Sequence, residues 1–258
     1  MISGMAGWIV SWKRTNQLTI QLTNQLINHL TNYLQRRSST IMTKTIAVIG
    51  GTGNQGPGLA RRWAVSGQYT VIIGSRQAEK AERIAAELNE QIGQSLLRGL
   101  ANEDAAQAAD ICVLTVPYTA QAPTLVGLRD ILQGKILVDV TVPLKPPKVA
   151  RVNIPIGLSA AQESQTLLGE GVRVVSAFQN ISAAHLADDH EIECDVLICG
   201  DDKAAKKEVI ALTEAAGLRG IDAGPLQNAV AAEALTSILI GLNIRYKVKG
   251  SGIKITGL

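Results

Sequence analysis

A short apolar run that breaks into glycines constrains the fold of this chain more than any other stretch. Residues 45–49 read TIAVI, and GGTGNQG follows before a predicted helix, 59–65. An unbroken apolar run is typical of a strand that is covered on both faces, as in parallel sheets. Gly51, Gly53 and Gly56 then form the G-x-G-x-x-G spacing of a strand–turn–helix unit. The pattern predicts an α/β protein that binds a nucleotide cofactor.

Each glycine of this pattern has a separate physical role. Gly51 permits the tight turn, Gly53 lets the backbone approach a pyrophosphate, and Gly56 lets the helix pack closely on the strand. The phosphates are expected on the free N–H groups at the helix N-terminus, where the helix dipole favours negative charge. A tight strand–helix turn without a ligand is the alternative interpretation.

The end of the second predicted strand, 69–76, indicates which cofactor is bound. Sites that prefer NAD place an Asp or Glu here to hold the ribose 2′-hydroxyl. This chain has Ser75 and Arg76 instead, and no acid precedes Glu79. A hydroxyl and a guanidinium suit a 2′-phosphate, and Lys80 adds a further positive charge. We therefore predict NADP rather than NAD, against the alternative of an ordinary solvated arginine.

Predicted strands and helices continue to alternate along the chain. We predict further strands at 96–100, 111–117, 135–143, 172–178, 195–200 and 218–226. We predict helices at 78–91, 102–109, 120–133, 160–168, 203–216 and 228–246. This order indicates a Rossmann-type, doubly wound parallel sheet with a smaller carboxyl-terminal α/β extension that ends in a long apolar helix.

Two predicted strands end in the same tripeptide, Thr-Val-Pro, at Val116-Pro117 and Val142-Pro143. Proline ends a strand, and the carboxyl ends of parallel strands border the crevice in which ligands lie. The two corners would give a flat ring a dry, apolar platform. Strand termination alone is the alternative for each proline.

The exit of the sixth predicted strand faces the same crevice. Phe178 would extend the apolar wall of the crevice, and Ser182 would stand at the far end of that wall. The amides of Gln179 and Asn180 could bind the carbonyl groups of a ring. The acidic pair Asp201-Asp202 follows the next strand, and we interpret Asp201 as a helix N-cap rather than a metal ligand. The proline-rich loop 144–158 could cover the cleft.

The last predicted helix, 228–246, is apolar almost all round and is interrupted by Glu233. It is short of the about 20 apolar residues that a membrane span needs. A helix this apolar in a soluble protein must be covered on most sides, so we expect it to pack against a second subunit, with packing within one chain as the alternative.

Composition narrows the function classes further. The net charge of +3 is misleading, because residues 1–41 hold four of the 25 cationic residues and no acid, which leaves −1 for 42–258. We therefore expect neither nucleic acid nor a membrane as partner. Three cysteines without metal-ligand spacing indicate buried thiols of a reducing cytoplasm, and three histidines argue against a zinc site or a Ser-His-Asp triad.

The amino-terminal segment is unlike the rest of the chain. Leu18, Leu22, Leu26, Leu30 and Leu34 recur every four residues in an uncharged, Asn- and Thr-rich stretch. This segment has three interpretations: a targeting peptide, a membrane anchor, or upstream sequence that precedes a translation start at Met42. We favour the third. We thus expect an extension, 1–41, that is disordered or not native, an NADP-binding Rossmann domain, 42–180, and a substrate and dimerisation region, 181–258.

Taken in order, the motifs GGTGNQGPGLA, IGSR with Lys80, LTVP, VVSAF, CGDD and DAGPL resemble those of the NADPH:F420 oxidoreductase family, over about residues 44–247. The resemblance implies a cytoplasmic homodimer that exchanges a hydride between NADP and the deazaflavin coenzyme F420. It implies a pyrophosphate site at Thr52, Gly53, Asn54 and Gln55, a 2′-phosphate site at Ser75, Arg76 and Lys80, and a nicotinamide side lined by Val116 and Val142.

The chain departs from the family pattern near the expected deazaflavin. Gln179-Asn180-Ile181-Ser182 stands where members often have His-Thr-Ile-Pro, and Tyr118 stands where they often have Trp. Hydride transfer between stacked rings needs orientation rather than acid–base groups, so we predict no catalytic side chain and no metal. The lack of an evident general acid disfavours carbonyl reduction. The alternative functions are an NADPH-dependent flavin, ferric or imine reductase and a non-catalytic NADP-binding redox sensor.

Overall fold

The computed structural model describes residues 43–188 and 190–258. The predicted extension, 1–41, lies outside these described residues. Lys44–Leu258 form one compact unit. Its strands are β1 (Thr45–Ile49), β2 (Thr70–Ser75), β3 (Leu97–Ala101), β4 (Ile111–Leu114), β5 (Ile136–Asp139), β6 (Arg173–Ser176), β7 (Asp195–Gly200) and β8 (Arg219–Asp222). Its α-helices are α1 (Gly56–Ser66), α2 (Ala78–Ile92), α3 (Asn102–Ala108), α4 (Tyr118–Leu128), α5 (Ala160–Leu168), α6 (Ala183–Ala187), α7 (Lys203–Ala215) and α8 (Ala229–Tyr246).

The strands form one sheet in the order β3-β2-β1-β4-β5-β6-β7-β8. Neighbouring strands are parallel except β6 and β7, which pair antiparallel at Val175 and Ser176. This confirms the predicted Rossmann-type α/β fold with its carboxyl-terminal part and long last helix. The strand reversal at β7 was not predicted, because the apolar pattern of a strand does not encode its direction.

Strand β1, which lies inside the sheet between β2 and β4, shows why its sequence lacks polar alternation. Ile46 and Val48 face one apolar layer, which also holds Trp63 of α1, whereas Ala47 and Ile49 face the other. Successive side chains of a strand point to opposite faces, so a strand that is covered on both faces must be apolar throughout. The buried run that the sequence indicated therefore forms the middle of the sheet.

The carboxyl-terminal strands extend the same sheet rather than forming a separate one. The predicted boundary between residues 180 and 181 falls between β6 and β7, which pair directly through Ser176 and Cys199. The division into a cofactor-binding part and a substrate part therefore stays a prediction about function within one compact unit.

Strands β4 and β5 end three to four residues before the predicted ends, 117 and 143. At β5 the cause is Asp139, whose Oδ1 accepts a hydrogen bond from the backbone N–H of Thr141 at 2.9 Å and so removes that donor from the strand ladder. The helix after β4 begins earlier than predicted, because Pro117 serves as its N-cap. Both Thr-Val-Pro segments are thereby released from the sheet at its carboxyl edge.

Arg62 of α1 holds the segment that follows β6, which includes the unpredicted short helix α6. Its guanidinium donates hydrogen bonds of 2.5 to 3.2 Å to five carbonyl oxygens, those of His185, Leu186, Asp188, His190 and Ala216. Gly58 allows the close approach of the two helices, because a Cβ there would lie 2.8 Å from backbone and Cβ atoms of Leu186. Helix α1 therefore fixes the path of the chain after β6.

The acidic pair after β7 is structural, as predicted, but the capping residue is Asp202 rather than Asp201. Asp202 Oδ1 accepts from the Ala205 N–H at 2.6 Å and caps α7. Asp201 Oδ1 instead accepts from the Leu226 N–H at 3.0 Å and so ties the end of β7 to the turn before α8.

Among the described residues, the stretch Leu226–Tyr246 is long and apolar enough, by length and composition alone, to cross a membrane. In this structure it packs with one side on the protein. The buried residues of α8 are Ala229, Ala232, Glu233, Ser237 and Leu239.

The buried carboxylate of Glu233 joins α8 to α5. It accepts hydrogen bonds from the Ala160 N–H at 2.7 Å and the Ala161 N–H at 3.1 Å, at the N-terminus of α5. Such donors favour a negative charge. Burial opposes them more strongly and raises the pKa of Glu233 to about 8. The carboxyl group therefore prefers its proton over much of the neutral range.

We expect Glu233→Gln to change how the stability of the fold depends on pH. A carboxyl pKa that folding raises from 4.5 to about 8 contributes stability that is fully present below about pH 4.5 and lost as the pH rises through about 8. The free energy of unfolding of wild type, relative to that of E233Q, should therefore fall by up to about 1.4 kcal/mol per pH unit inside that window. Urea unfolding between pH 5 and 8 measures it.

The exposed Glu90→Gln on α2 controls for the loss of one formal negative charge. Parallel unfolding free energies for wild type and E233Q across this range would contradict the role given to Glu233.

Candidate active site

A crevice runs along the carboxyl edge of the sheet and consists of two adjoining cavities of about 630 and 550 Å³. Their shared wall is Gly53, Thr115, Val116 and Pro117. The rest of the first cavity is lined by Gly50, Thr52, Ser75, Arg76, Gln77, Lys80, Asn102, Ala120 and Thr124. The rest of the second is lined by Asn54, Gln55, Tyr118, Val140, Thr141, Val142, Leu144, Gln179, Asn180, Ile181, Ser182, Ala183, Thr236, Leu239, Ile240, Asn243 and Ser251.

The glycines of the turn between β1 and α1 are required by close packing. A Cβ on Gly56 would lie 2.5 Å from the Cα of Gly51, and one on Gly51 would lie 2.7 Å from the carbonyl oxygen of Val48. Gly51 and Gly56 therefore lie behind the cavities and shape the turn. Gly53 differs, because a Cβ there would meet nothing closer than 3.6 Å and would occupy space beside the cavities. The lack of a side chain at Gly53 leaves its backbone open to a ligand in the cavities.

The turn presents free backbone donors at the start of α1. The N–H groups of Gly51 and Gly53 are bonded to carbonyl oxygens within the fold. Those of Thr52, Asn54 and Gln55 have no partner in the part of the chain that the structure describes. The Gln55 side chain points away from this role, since its Nε2 donates to the Phe178 carbonyl at 2.9 Å. The arrangement suits an anion that is bound by backbone.

The far end of the first cavity is positively charged. Arg76 and Lys80 are exposed at its rim, and its lining contains no carboxylate. Ser75 is buried, and its Oγ accepts from the Gln77 N–H at 3.2 Å, which leaves the hydroxyl proton to donate to a ligand. The structure thus brings the three predicted 2′-phosphate residues together.

Asn102 is a member of this cavity that sequence reasoning missed. Its Oδ1 accepts from the Gly50 N–H at 3.1 Å, and Gly50 has a positive φ of 69°. Gly74 leaves room for it, because a Cβ there would lie 2.9 Å from Asn102 Oδ1. The sequence held one indication of this contact, the extra glycine, Gly50, directly before the G-x-G-x-x-G pattern. A backbone position with positive φ favours glycine.

The lining of the second cavity is largely apolar and carries no formal charge. Its described residues include no Asp, Glu, Lys, Arg or His. Val116 and Val142 lie in it as predicted, as does Pro117, whereas Pro143 is buried and outside the lining. Tyr118 is its titratable group, and burial together with its 2.7 Å hydrogen bond to Glu163 Oε2 raises the pKa of the phenol to about 12. The cavity offers no ready proton donor.

Phe178 was predicted to wall this cavity, and that prediction is wrong. Its φ of 69° turns the backbone so that the ring is fully buried and packs edge-on against Trp63, with ring centroids 5.9 Å apart. The alternation of side chains along the strand gave no indication that the Phe178 ring turns into the core.

Gln179 and Asn180 line the second cavity, but their amide NH₂ groups are used within the fold rather than free for the ring carbonyls that the sequence predicted. Gln179 Nε2 donates to the Asp139 carbonyl at 2.7 Å, and Asn180 Nδ2 donates to the Asp195 carbonyl at 2.7 Å. A carbonyl requires the NH₂ end of each amide, so the orientations are fixed. The two amide oxygens are buried and have no partner among the described residues.

A buried carboxylate supports the floor of the second cavity. Asp139 Oδ2 accepts from Gln121 Nε2 at 2.8 Å and from Ser164 Oγ at 2.6 Å, while Oδ1 accepts from the N–H and hydroxyl of Thr141. Burial raises the pKa of Asp139, and these four hydrogen bonds oppose the rise. The network fixes Thr141, which lines the cavity.

Helix α8 supplies one side of the second cavity, whereas the sequence predicted chiefly that it packs against a second subunit. Thr236, Leu239, Ile240 and Asn243 line it at the spacing of one helix face. Thr236 Oγ1 donates to the Gln179 carbonyl at 2.8 Å, and Asn243 Oδ1 accepts from the Ser251 N–H at 2.8 Å. An apolar helix with isolated Thr and Asn residues on one face was the signal that could have indicated this.

Within residues 43–188 and 190–258, no group of three or more His, Cys, Asp or Glu side chains is arranged to hold a metal ion. All three cysteines are free and buried. Burial raises the pKa of the Cys112 thiol to about 12 and that of Cys199 to about 11, so neither thiol is poised as a nucleophile.

Comparison with known protein sequences gives a consistent result. A family profile described as "NADP oxidoreductase coenzyme F420-dependent" matches residues 45–143. A protein of Methanocaldococcus jannaschii named F420-dependent NADP reductase is 45% identical over 222 residues, which cover 83% of this chain and 98% of that protein. A protein of Methanothermobacter thermautotrophicus with the same name is 43% identical over 226 residues, which cover 84% of this chain and 97% of that protein.

Comparison with solved structures agrees with this. A crystal structure of a protein from Arthrobacter sp. FB24 matches with a TM-score of 0.68 at 27% sequence identity. The match covers 82% of this chain and 99% of that chain. The similarity therefore extends through the carboxyl-terminal strands and α8, beyond the cofactor-binding half.

Proposed function

Because the chain belongs to the family of F420-dependent NADP reductases, we propose that it transfers a hydride between NADP(H) and the deazaflavin coenzyme F420 in this crevice. The observation that carries the proposal is the pair of adjoining cavities. One has a cationic end and a turn of free backbone donors, and the other is uncharged and largely apolar. NADP(H) supplies or accepts the hydride, and the chain binds and orients both coenzymes.

The first cavity would hold the phosphate groups of NADP(H). Arg76 and Lys80 supply two positive charges for the 2′-phosphate. The hydroxyl of Ser75, on a short side chain beside them, supplies a hydrogen-bond donor. The free N–H groups of Thr52, Asn54 and Gln55 would hold the pyrophosphate at the N-terminus of α1. The absence of a carboxylate from the lining favours NADP over NAD, because no group is present to bind the ribose 2′-hydroxyl.

The shared wall would hold the nicotinamide. Val116 and Pro117 of this wall, together with Val142 of the second cavity, present apolar surface that excludes water and keeps the ring stacked against its partner. In a hydride transfer directly from ring to ring, the negative charge would be delocalised over the acceptor ring and one proton from solvent would complete its reduction, so an uncharged cavity without a positioned acid suits the reaction. Reduction of a carbonyl would require a proton donor, and the lining has only Tyr118, with its pKa near 12.

The second cavity would hold the deazaflavin ring. We propose Tyr118, Gln179, Asn180 and Ser182 as contacts, as the sequence predicted, and add Thr236 and Asn243 of α8. The NH₂ groups of Gln179 and Asn180 are engaged within the fold, so we propose that these two residues give the ring contact surface rather than hydrogen bonds to its carbonyl oxygens. Pro143 and Phe178 support the cavity from behind rather than contact the ring.

We also propose that the chain is a cytoplasmic homodimer with neither nucleic acid nor a membrane as partner. Three buried free thiols fit a reducing compartment. The exposed face of α8 carries Ile238, Ile244 and Tyr246, each more than half exposed, and a second copy would cover this apolar surface. A monomeric mass in sedimentation equilibrium at micromolar concentration would contradict the dimer.

The reaction itself is tested with the purified protein. Mixing it with NADPH and F420 should bleach the absorbance of F420 and oxidise an equal amount of NADPH. Flavins, ferric chelates and cyclic imines serve as competing substrates. Reduction of any of these with F420 untouched would overturn the proposal in favour of another reductase. Binding of NADPH without turnover of any substrate would indicate a redox sensor.

Arg76→Asp tests the cofactor assignment. The change removes a charge-assisted hydrogen bond and places a negative charge beside the 2′-phosphate, so the Kd of NADPH should rise about 10- to 100-fold. The Kd of NADH should stay the same or fall. Fluorescence titration measures both values. Arg83→Asp on α2 makes the same charge change outside both cavities, and an unchanged NADPH affinity in R76D would refute the role of Arg76.

A further inference from the structure

Glu163 of α5 joins two other parts of the chain through its two carboxylate oxygens. Oε2 accepts a hydrogen bond of 2.7 Å from the hydroxyl of Tyr118, the first residue of α4. Oε1 accepts one of 3.3 Å from the backbone N–H of Gly157, in the loop that precedes α5. Tyr118 lines the second cavity, whereas Glu163 does not. The carboxylate therefore holds a side chain of that cavity from outside it.

Glu163 belongs to a third cavity, of about 410 Å³, between α4 and α5. Gln121 and Leu125 line it from α4, and Glu163 and Leu167 line it from α5. Tyr118 lines the second cavity and not this one. The hydrogen bond between the phenol and the carboxylate therefore crosses the wall that separates the two cavities.

The loop before α5 is shaped to receive the Glu163 side chain. A Cβ on Gly157 would lie 2.4 Å from Glu163 Cγ and 3.2 Å from its Oε1. The backbone at Gly157 thus packs directly on this side chain, and a larger residue there would displace it. This contact, with the hydrogen bond to Oε1, limits the positions that the carboxylate can take.

The fold does not need the Glu163 carboxylate to begin α5. Ser159 Oγ caps the helix by accepting from the Gln162 N–H at 3.1 Å, and Glu233 accepts from the two N–H groups before it. Within residues 43–188 and 190–258, Glu163 forms no ion pair. The helix dipole favours an acid in this first turn but does not select where its carboxylate points. Its direction is explained by the phenol and the loop.

Tyr118 depends on this contact for its orientation. In the part of the chain that the structure describes, its hydroxyl forms one hydrogen bond, the one to Glu163. Burial, followed by that bond, raises the pKa of the phenol to about 12, so the hydroxyl keeps its proton and stays a donor at neutral pH. A phenol ring turns about two side-chain torsions, and a charge-assisted hydrogen bond at its tip restricts both.

We propose that Glu163 is a positioning residue for the second coenzyme, because it fixes the ring of Tyr118 as one wall of the second cavity. The inference rests on the proposed function, since it assigns that cavity to the deazaflavin. Hydride transfer between rings requires close alignment of the reacting carbons, and a wall that can turn admits misaligned rings. Tyr118 does not line the first cavity, so binding of NADP(H) is independent of Glu163.

Glu163→Ala and Tyr118→Phe break the same hydrogen bond from its two ends. Each should lower kcat/KM for F420 about five- to tenfold, because the ring of residue 118 is no longer held. The double variant E163A/Y118F should show no further loss, since one bond can be lost only once. The KM for NADPH should stay within about twofold of wild type in all three variants, which also shows that they are folded. Steady-state kinetics measure these values.

Glu163→Gln is the conservative variant. Its amide oxygen can accept from the Gly157 N–H while its NH₂ donates to the phenol oxygen, so kcat/KM for F420 should stay within about twofold of wild type. Glu103→Ala is the control, because it also removes a carboxylate from the first turn of a helix, α3. Glu103 is exposed and lines neither the first nor the second cavity, so E103A should leave kcat/KM for F420 unchanged.

Three outcomes separate this inference from the proposed function. A wild-type kcat/KM for F420 in E163A, or losses in E163A and Y118F that multiply in the double variant, would overturn the inference and leave the proposed function intact. A loss in E163Q as large as that in E163A would also overturn it, because the hydrogen bond would then not be the cause. Failure of the wild type to oxidise NADPH with F420 would overturn both.

Discussion

The cleft depends on one buried carboxylate, that of Asp139, at the end of the central strand β5. Its side chain binds Gln121 of α4, Ser164 of α5 and Thr141, and its backbone carbonyl binds Gln179 after β6. Four segments that are distant in sequence are thereby fixed relative to one another. A buried carboxylate is tolerated only when hydrogen bonds satisfy it, so each of these segments must take its place for the others to be stable.

This dependence explains what could and could not be predicted from the sequence. The glycine turn, Ser75 and Arg76 were predictable, because their positions follow from local spacing around one strand and one helix. The most apolar strands were predictable because burial on both faces leaves a local pattern. Thr141 lies two residues after Asp139, but the other three partners come from three distant segments, and no local pattern joins them.

Other parts of the site were hidden for related reasons. The reversal of Phe178 into the core depends on a positive φ that a phenylalanine rarely adopts, so alternation misplaced its ring. The amides of Gln179 and Asn180 were identified, but their polarity depends on the carbonyls of Asp139 and Asp195. The residues of α8 in the cavity lie more than fifty positions after these amides. What sequence reasoning lacked was therefore long-range packing rather than chemistry.

The hydrogen bonds from Arg62 to the segment after β6 have a consequence for how the sequence beside this crevice can change. Its five acceptors are backbone carbonyl oxygens, which every amino acid possesses. The backbone course of residues 185–188 and 190 therefore depends little on which side chains these positions carry. Substitutions there would leave the hydrogen bonds to Arg62 intact, so the backbone that continues from Ser182 and Ala183 at the second cavity can keep its course while its sequence changes.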